Sequence, residues 1–199
     1  MRKTGFFIRI SCVFAIGCSF GWVLEVIFRR FCKSGNPEGR WINPGFLRGP
    51  WLPVYGFGLC GLYLISNLEP YMTVRGWQGK IILIAVMGIS ATAIEYLAGM
   101  VSLKLLKTEL WDYSREWGNI QGVVCPRFAI FWTIICALYL LFIHRFMVSA
   151  LDNLTPIPIL LYSLGFYFGA LAIDVFGLNL SRDKRKRGSA HSKQIRTFH

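Results

Sequence analysis

Five apolar runs, at about 6–28, 53–68, 80–103, 123–147 and 156–180, leave this chain few folds to choose from. A bilayer span needs roughly 20 mostly apolar residues. In lipid every backbone N–H and C=O must be bonded inside the protein, which points to helices for runs of this length. The runs therefore predict an all-α integral membrane protein of about five transmembrane helices. The second run is the shortest and the richest in glycine, so it is expected to be tilted, broken or partly buried in protein. Residues 1–180 read as a single transmembrane domain. Residues 181–199 read as a basic cytoplasmic tail, disordered and lying against anionic lipid. Thr155 followed by Pro156 has the pattern of an N-cap and first-turn proline for the last helix. Arg2 and Lys3 before an apolar run imitate a signal peptide. Arg9 and Glu25 interrupt that run and no small-residue cleavage site follows, so it is read as a retained first helix.

Composition enters to exclude other solvents and partners. Hydrophobic residues make up 54% of the chain and charged ones 16%, with a mean hydropathy of +0.47; soluble domains carry about 25% charged residues. The net charge of +12 does not imply nucleic acid, because the basic residues lie between apolar segments and in the tail, where lipid headgroups account for them. The first loop holds Arg29, Arg30, Lys33, Arg40 and Arg48, and the third holds Lys104, Lys107, Arg115 and Arg127. With the basic tail, these loops predict a multi-pass protein of the plasma membrane with its N-terminus outside and its C-terminus cytoplasmic. Arg2 and Lys3 are the discordant signal. The six cysteines are scattered without a CxxC pair, which indicates neither a disulfide framework nor a metal site.

Glu25, Glu95 and Asp174 lie inside the apolar runs. A carboxylate at membrane depth costs roughly 2.5–3.5 kcal/mol on insertion scales, so it is seldom there without a partner or a function. Glu25 and Glu95 read equally well as functional carboxylates or as structural ones neutralised by Arg48 or Arg127. Asp174, near the end of its run, reads as an interfacial residue. Trp111, Asp112 and Tyr113 join aromatics to an acid just outside the membrane, as belt and capping residues or as a ligand contact.

The chain also looks duplicated. Trp41-Ile-Asn43 precedes Pro50 as Trp117-Gly-Asn119 precedes Pro126, with the Asn seven residues before the Pro in both. Each follows a run carrying an acid, Glu25 or Glu95. A parallel repeat of two-helix units with a fifth helix added is expected, with the site at the repeat interface. Asn43, Asn119 and the glycines around them suit tightly turned backbone, tolerated at membrane depth only inside protein or beside a wet cavity. Gly56-Phe-Gly58-Leu-Cys-Gly61 matches a dinucleotide fingerprint in letters alone, since no βαβ unit surrounds it. Close helix packing explains these glycines, as it does Gly17/Gly21 and Gly165/Gly169.

Three runs carry a resemblance across about 21–132: Gly21-Trp-Val-Leu-Glu25; Asn43-Pro-Gly-Phe-Leu-Arg-Gly-Pro50 with Pro53-Val-Tyr55-Gly56; and Glu95-Tyr-Leu-Ala-Gly99 with Trp111-Asp-Tyr-Ser114 and Asn119-Ile-Gln-Gly122. They resemble the bacterial ABC-transporter type IV permeases, to which small vertebrate multi-span proteins are also similar. Pro44 departs from the pattern, where the family more usually has Arg, which removes a cation from the first loop. The resemblance implies a transport component with a polar intramembrane site near the cytoplasmic side. The expected cluster is Glu25, Asn43, Arg48, Tyr55, Glu95, Trp111, Asp112, Tyr113, Asn119 and Arg127. No cofactor or metal is implied.

No P-loop is present, so ATP hydrolysis would need a partner ATPase subunit; a homo-oligomer is the other expected assembly, and membrane lipids are partners in either case. A membrane-embedded enzyme or binding protein acting on a lipid or lipid-linked substrate is a second reading, although no His stands near a Ser or Cys nucleophile. A non-catalytic scaffold is a third.

Overall fold

The computed structural model describes residues 3–31, 38–45, 47–107, 109–154 and 158–196. The chain is helical: α1 spans Lys3–Phe31, α2 Pro53–Ser66, α3 Gly76–Val101, α4 Pro126–Leu138, α5 His144–Leu154 and α6 Pro158–Arg196. A π-helical stretch, Ser102–Leu106, extends α3, and another, Tyr139–Ile143, joins α4 to α5. Among the described residues the only β pairing is an isolated bridge between Ile120 and Val124. Among the described residues, four segments are long and apolar enough to cross a membrane: Gly5–Phe31, Gly76–Lys104, Pro126–Leu154 and Pro158–Gly177.

α2 is the exception. Its 14 residues cover about 21 Å at 1.5 Å per residue, short of a hydrocarbon core of about 30 Å. It starts where sequence dictates, with Pro53 at the first turn after an extended Leu52. It is wrapped by protein: Gly56, Cys60, Tyr63 and Ser66 are buried, so its brevity is covered by its neighbours.

Contacts fix the directions. Gly21 and Gly17 face Tyr55 and Gly56, while Ile10 O accepts from Cys60 Sγ at the other end, so α2 runs antiparallel to α1. Gly88 meets Thr133 and Gly99 meets Val123, which sets α3 and α4 antiparallel. Ser19 meets Tyr167, and the loop after α1 meets Asp174, so α6 runs with α1. Gly61 faces Ile94 and Ser66 Oγ reaches Met87 Sδ, so α2 and α3 are antiparallel as well; α1 and α3 therefore point the same way and deliver the first and third loops to one end of the bundle.

Two apolar clusters hold the bundle. Cys12, Val13, Cys60, Tyr63 and Leu151 join α1, α2 and α5. Leu83, Met87, Cys136, Tyr139 and Leu140 join α3 to α4 and the π turn. The five described cysteines are free and buried, filling space as small hydrophobes.

Two expectations meet a different structure, and a third, the helix start at Thr155 and Pro156, lies outside the described residues. α6 continues as helix through Arg196, where a disordered tail is predicted from residue 181. That segment contains no proline and a single glycine, Gly188, so nothing in it stops the helix. Gly17 and Gly21 do bring α1 and α2 together, but a Cβ added at Gly165 or Gly169 would have nothing within 4 Å. The glycine face of α6 is open, not packed.

Candidate functional site

Glu25 lies near the C-terminal end of α1 and accepts two hydrogen bonds. Tyr55 OH donates to Oε2 at 2.7 Å, and Arg29 Nε donates to Oε1 at 2.9 Å. Tyr55 holds this position because Gly21 leaves no side chain in its way: a Cβ there would lie 2.3 Å from the Tyr55 Cβ. The spacing of Glu25 and Arg29, i and i+4, is the favourable order on a helix.

Glu95 stands at the corresponding level of α3 and is 6% exposed. Tyr113 OH donates to its Oε1 at 3.1 Å. Its Oε2 has no hydrogen-bond partner, and neither has the buried Nε1 of Trp132. The Trp132 indole lies beside Glu95 without completing a well-directed bond. Tyr113 stacks on Phe128 with centroids 4.3 Å apart, and Tyr55 meets Trp132 edge to face at 6.3 Å. Tyr113 feels the charge of both Glu95 and Glu25, so the two Glu–Tyr pairs adjoin in one polar, aromatic-walled cluster.

The loops carry the cluster. Asn43 Oδ1 accepts from Trp22 Nε1 at 2.9 Å and from the Gly45 N–H at 3.3 Å, while its Nδ2 donates to Leu47 O at 2.7 Å. Asn119 Oδ1 accepts from the Gly122 N–H at 3.0 Å, and its Nδ2 donates to Ser114 O and Glu116 O. Each Asn thus clips its loop through a glycine N–H, a role that backbone turns give Asn readily. In the third loop the clip closes with the Tyr113 N–H donating to Gly122 O at 2.8 Å, and Gly122 takes φ +68°.

Other residues expected in the cluster bond elsewhere. The Arg48 backbone N–H donates to Asp174 Oδ2, and Arg127 Nη1 bonds Glu116 Oε1 at 3.1 Å; among the described residues the salt bridges pair neither arginine with Glu25 or Glu95. Asp112 is exposed and accepts the Ser114 N–H at 2.8 Å, a bond that, with the Ser114 hydroxyl, holds its carboxyl below the usual range. Trp111 Nε1 donates to Val123 O and packs over Gly99. These residues shape the loop end of the bundle.

Sequence reasoning passed over Arg29 and Trp132. The i, i+4 spacing from Glu25 was the signal for Arg29. An indole deep in an apolar run was the signal for Trp132, since its N–H needs a partner there. Asp174, read as interfacial, fastens the first loop. Its Oδ2 accepts from the N–H groups of Arg48 and Gly49 and from Trp51 Nε1, all within 3.0 Å.

A second polar group lies towards the opposite end. Arg9 pairs with Asp152, and Tyr139 OH is 3.3 Å from His144 Nδ1. Between α3 and α4 an apolar groove of about 680 Å³ is lined by Gly88, Ile89, Thr92, Tyr96 and Ile130, among others. Among the described residues no group of three or more His, Cys, Asp or Glu is placed to hold a metal ion.

Tyr113 gives a pH test of this geometry. Burial, and then the charge of Glu95, push its phenol above the ordinary value. A group raised in the folded state contributes stability below its unfolded pKa and loses it as pH rises through the folded one. Tyr113 should therefore keep its proton, and its bond to Glu95, as pH rises to at least about pH 10, the ordinary tyrosine value. The check is the tyrosinate absorbance of the wild type minus that of Tyr113→Phe. The difference should stay flat through the ordinary tyrosine range, and a rise there would place the phenol in solvent.

A family model described as "Putative ABC-transporter type IV" matches residues 12–177. No curated protein and no solved structure matches the chain.

Proposed function

Because the chain belongs to the "Putative ABC-transporter type IV" family, we propose that it is the membrane-spanning component of a transporter whose ATPase is a separate subunit. On this reading its ligand site is the Glu25–Tyr55 and Glu95–Tyr113 cluster. The single observation that carries the reading is Glu95, buried in α3 with one oxygen unpartnered. A structural carboxylate at membrane depth is expected to have both oxygens bonded, as those of Glu25 are; one left open inside the protein is a functional candidate. The Lys and Arg of the first and third loops favour a cytoplasmic position for this end of the bundle. That is the face where an ATPase docks. Four long spans and one short helix make a small translocation path, so assembly with a second copy or a partner completes it.

The test is mild-detergent purification of the tagged full chain from its native membrane, with mass spectrometry of the retained proteins. A P-loop ATPase retained in stoichiometric amount supports the reading. Retention of a different membrane complex, with no ATPase, would make the chain a scaffold instead.

A further inference from the structure

The two carboxylates are built alike and neutralised differently. Glu25 has Arg29 four residues later, one turn along the same face. The residue four after Glu95 is Gly99, and the helix cannot supply a cation there. A Cβ on Gly99 would lie 2.3 Å from Val123 Cγ1 and 3.3 Å from Trp111 Cζ2. Among the described residues no Lys, Arg or His forms an ion pair with Glu95. A buried carboxylate without a counter-charge is costly, and this one has an oxygen, Oε2, without a well-directed bond, beside a Trp132 indole N–H that also lacks one. A ligand group that donates to the first and accepts from the second would satisfy both. Aromatic rings flank the place where it would sit, with Tyr113 bonded to Glu95 and Trp132 beside it. Such rings favour a cation over their faces.

We propose that Glu95 binds the ammonium group of a ligand that also carries an oxygen acceptor a bond or two away, its N–H donating to Oε2 and its oxygen accepting from Trp132 Nε1. A free amino alcohol and the headgroup of an aminophospholipid share this chemistry. In the first repeat Arg29 fills the same need permanently; in the second the ligand does so reversibly. The inference rests on the cluster being a ligand site but on no ATPase and no transport step. It is tested on the isolated chain, so its failure leaves the partner experiment standing, and the reverse.

The experiment titrates the purified full chain in detergent with ethanolammonium, ethylammonium and the neutral ethylene glycol, following indole fluorescence and thermal stability. Ethanolammonium should give a saturable response, ethylammonium a weaker one, and ethylene glycol none. Glu95→Gln should weaken ethanolammonium binding by about tenfold or more, the worth of one charge-assisted bond. Trp132→Phe should abolish the fluorescence change and leave a smaller thermal shift. The comparison among the three probes needs only wild type, so it stands even if a variant folds poorly. Native mass spectrometry from nanodiscs containing equal phosphatidylethanolamine and phosphatidylcholine then separates the sources. Glu95-dependent enrichment of phosphatidylethanolamine assigns the headgroup, and ethanolammonium binding without enrichment assigns a free amine. Equal responses to ethylene glycol and ethanolammonium, or no response to ethanolammonium together with no lipid enrichment, would overturn the proposal.

Discussion

Gly17→Val is expected to abolish recovery of folded, monodisperse protein. A Cβ at Gly17 would lie 2.7 Å from the carbonyl oxygen of Tyr55 and 2.9 Å from the Cα of Gly56. These are backbone atoms, so no rotamer change relieves the contact and α1 and α2 must separate. Overpacking costs about 1–3 kcal/mol when side chains can yield, and here they cannot. Helix association in lipid also depends on such close approach. Moving α2 displaces Tyr55 from Glu25, so the effect reaches the site. Gly165→Val, where an added Cβ would have nothing within 4 Å, is the matched control and should behave as wild type. Size-exclusion profiles of the two variants check this, and a normal profile for Gly17→Val would contradict the packing described.

The second large effect is Asp174→Ala. Asp174 Oδ2 gathers the N–H groups of Arg48 and Gly49 and the Trp51 indole N–H, fastening α6 to the first loop. Further along, α6 meets the bundle through Tyr167 against Trp51 and Phe168 against Phe14. Truncation strands three donors, and a stranded buried donor costs about 1–3 kcal/mol, with the low end applying to this partly exposed loop. Tryptic cleavage after Arg48 should accelerate by about tenfold, the change that corresponds to about 1.4 kcal/mol in the opening equilibrium. Asp174→Asn keeps one acceptor and should fall between. Cleavage at the wild-type rate in Asp174→Ala would remove Asp174 as the fastener.

The spans were readable because hydropathy and length act residue by residue. The apolar runs locate α1, α3, α4–α5 and α6, and Pro53 and Pro126 stand at the first turns of α2 and α4. The carboxylates were readable too, since a charge inside an apolar run is visible without geometry. Their partners were not. Arg48 and Arg127 are near Glu25 and Glu95 along the loops, yet Arg48 bonds Asp174 through its backbone and Arg127 bonds Glu116. Which cation meets which acid depends on helix rotation and loop path, and neither is written in spacing along a loop. The one local rule available, i to i+4, identifies Arg29. The same limit explains Gly165 and Gly169: small residues permit close packing but do not supply the neighbour. Asn43 and Asn119 were legible as turn residues because an Asn beside glycine favours bonds to its own backbone, and both make them.

If the open carboxylate at Glu95 serves a ligand and not the fold, removing its charge should cost function while sparing assembly. On the transporter reading, ATP hydrolysis by the complex of this chain with the ATPase that reading proposes, in lipid vesicles, measures both, comparing wild type with Glu95→Gln at equal subunit recovery. Glu95→Gln should assemble normally and lose ligand-stimulated hydrolysis, falling to the basal rate. Full stimulation in Glu95→Gln, or loss of assembly with no change in the rate per assembled complex, would show instead that Glu95 serves the fold.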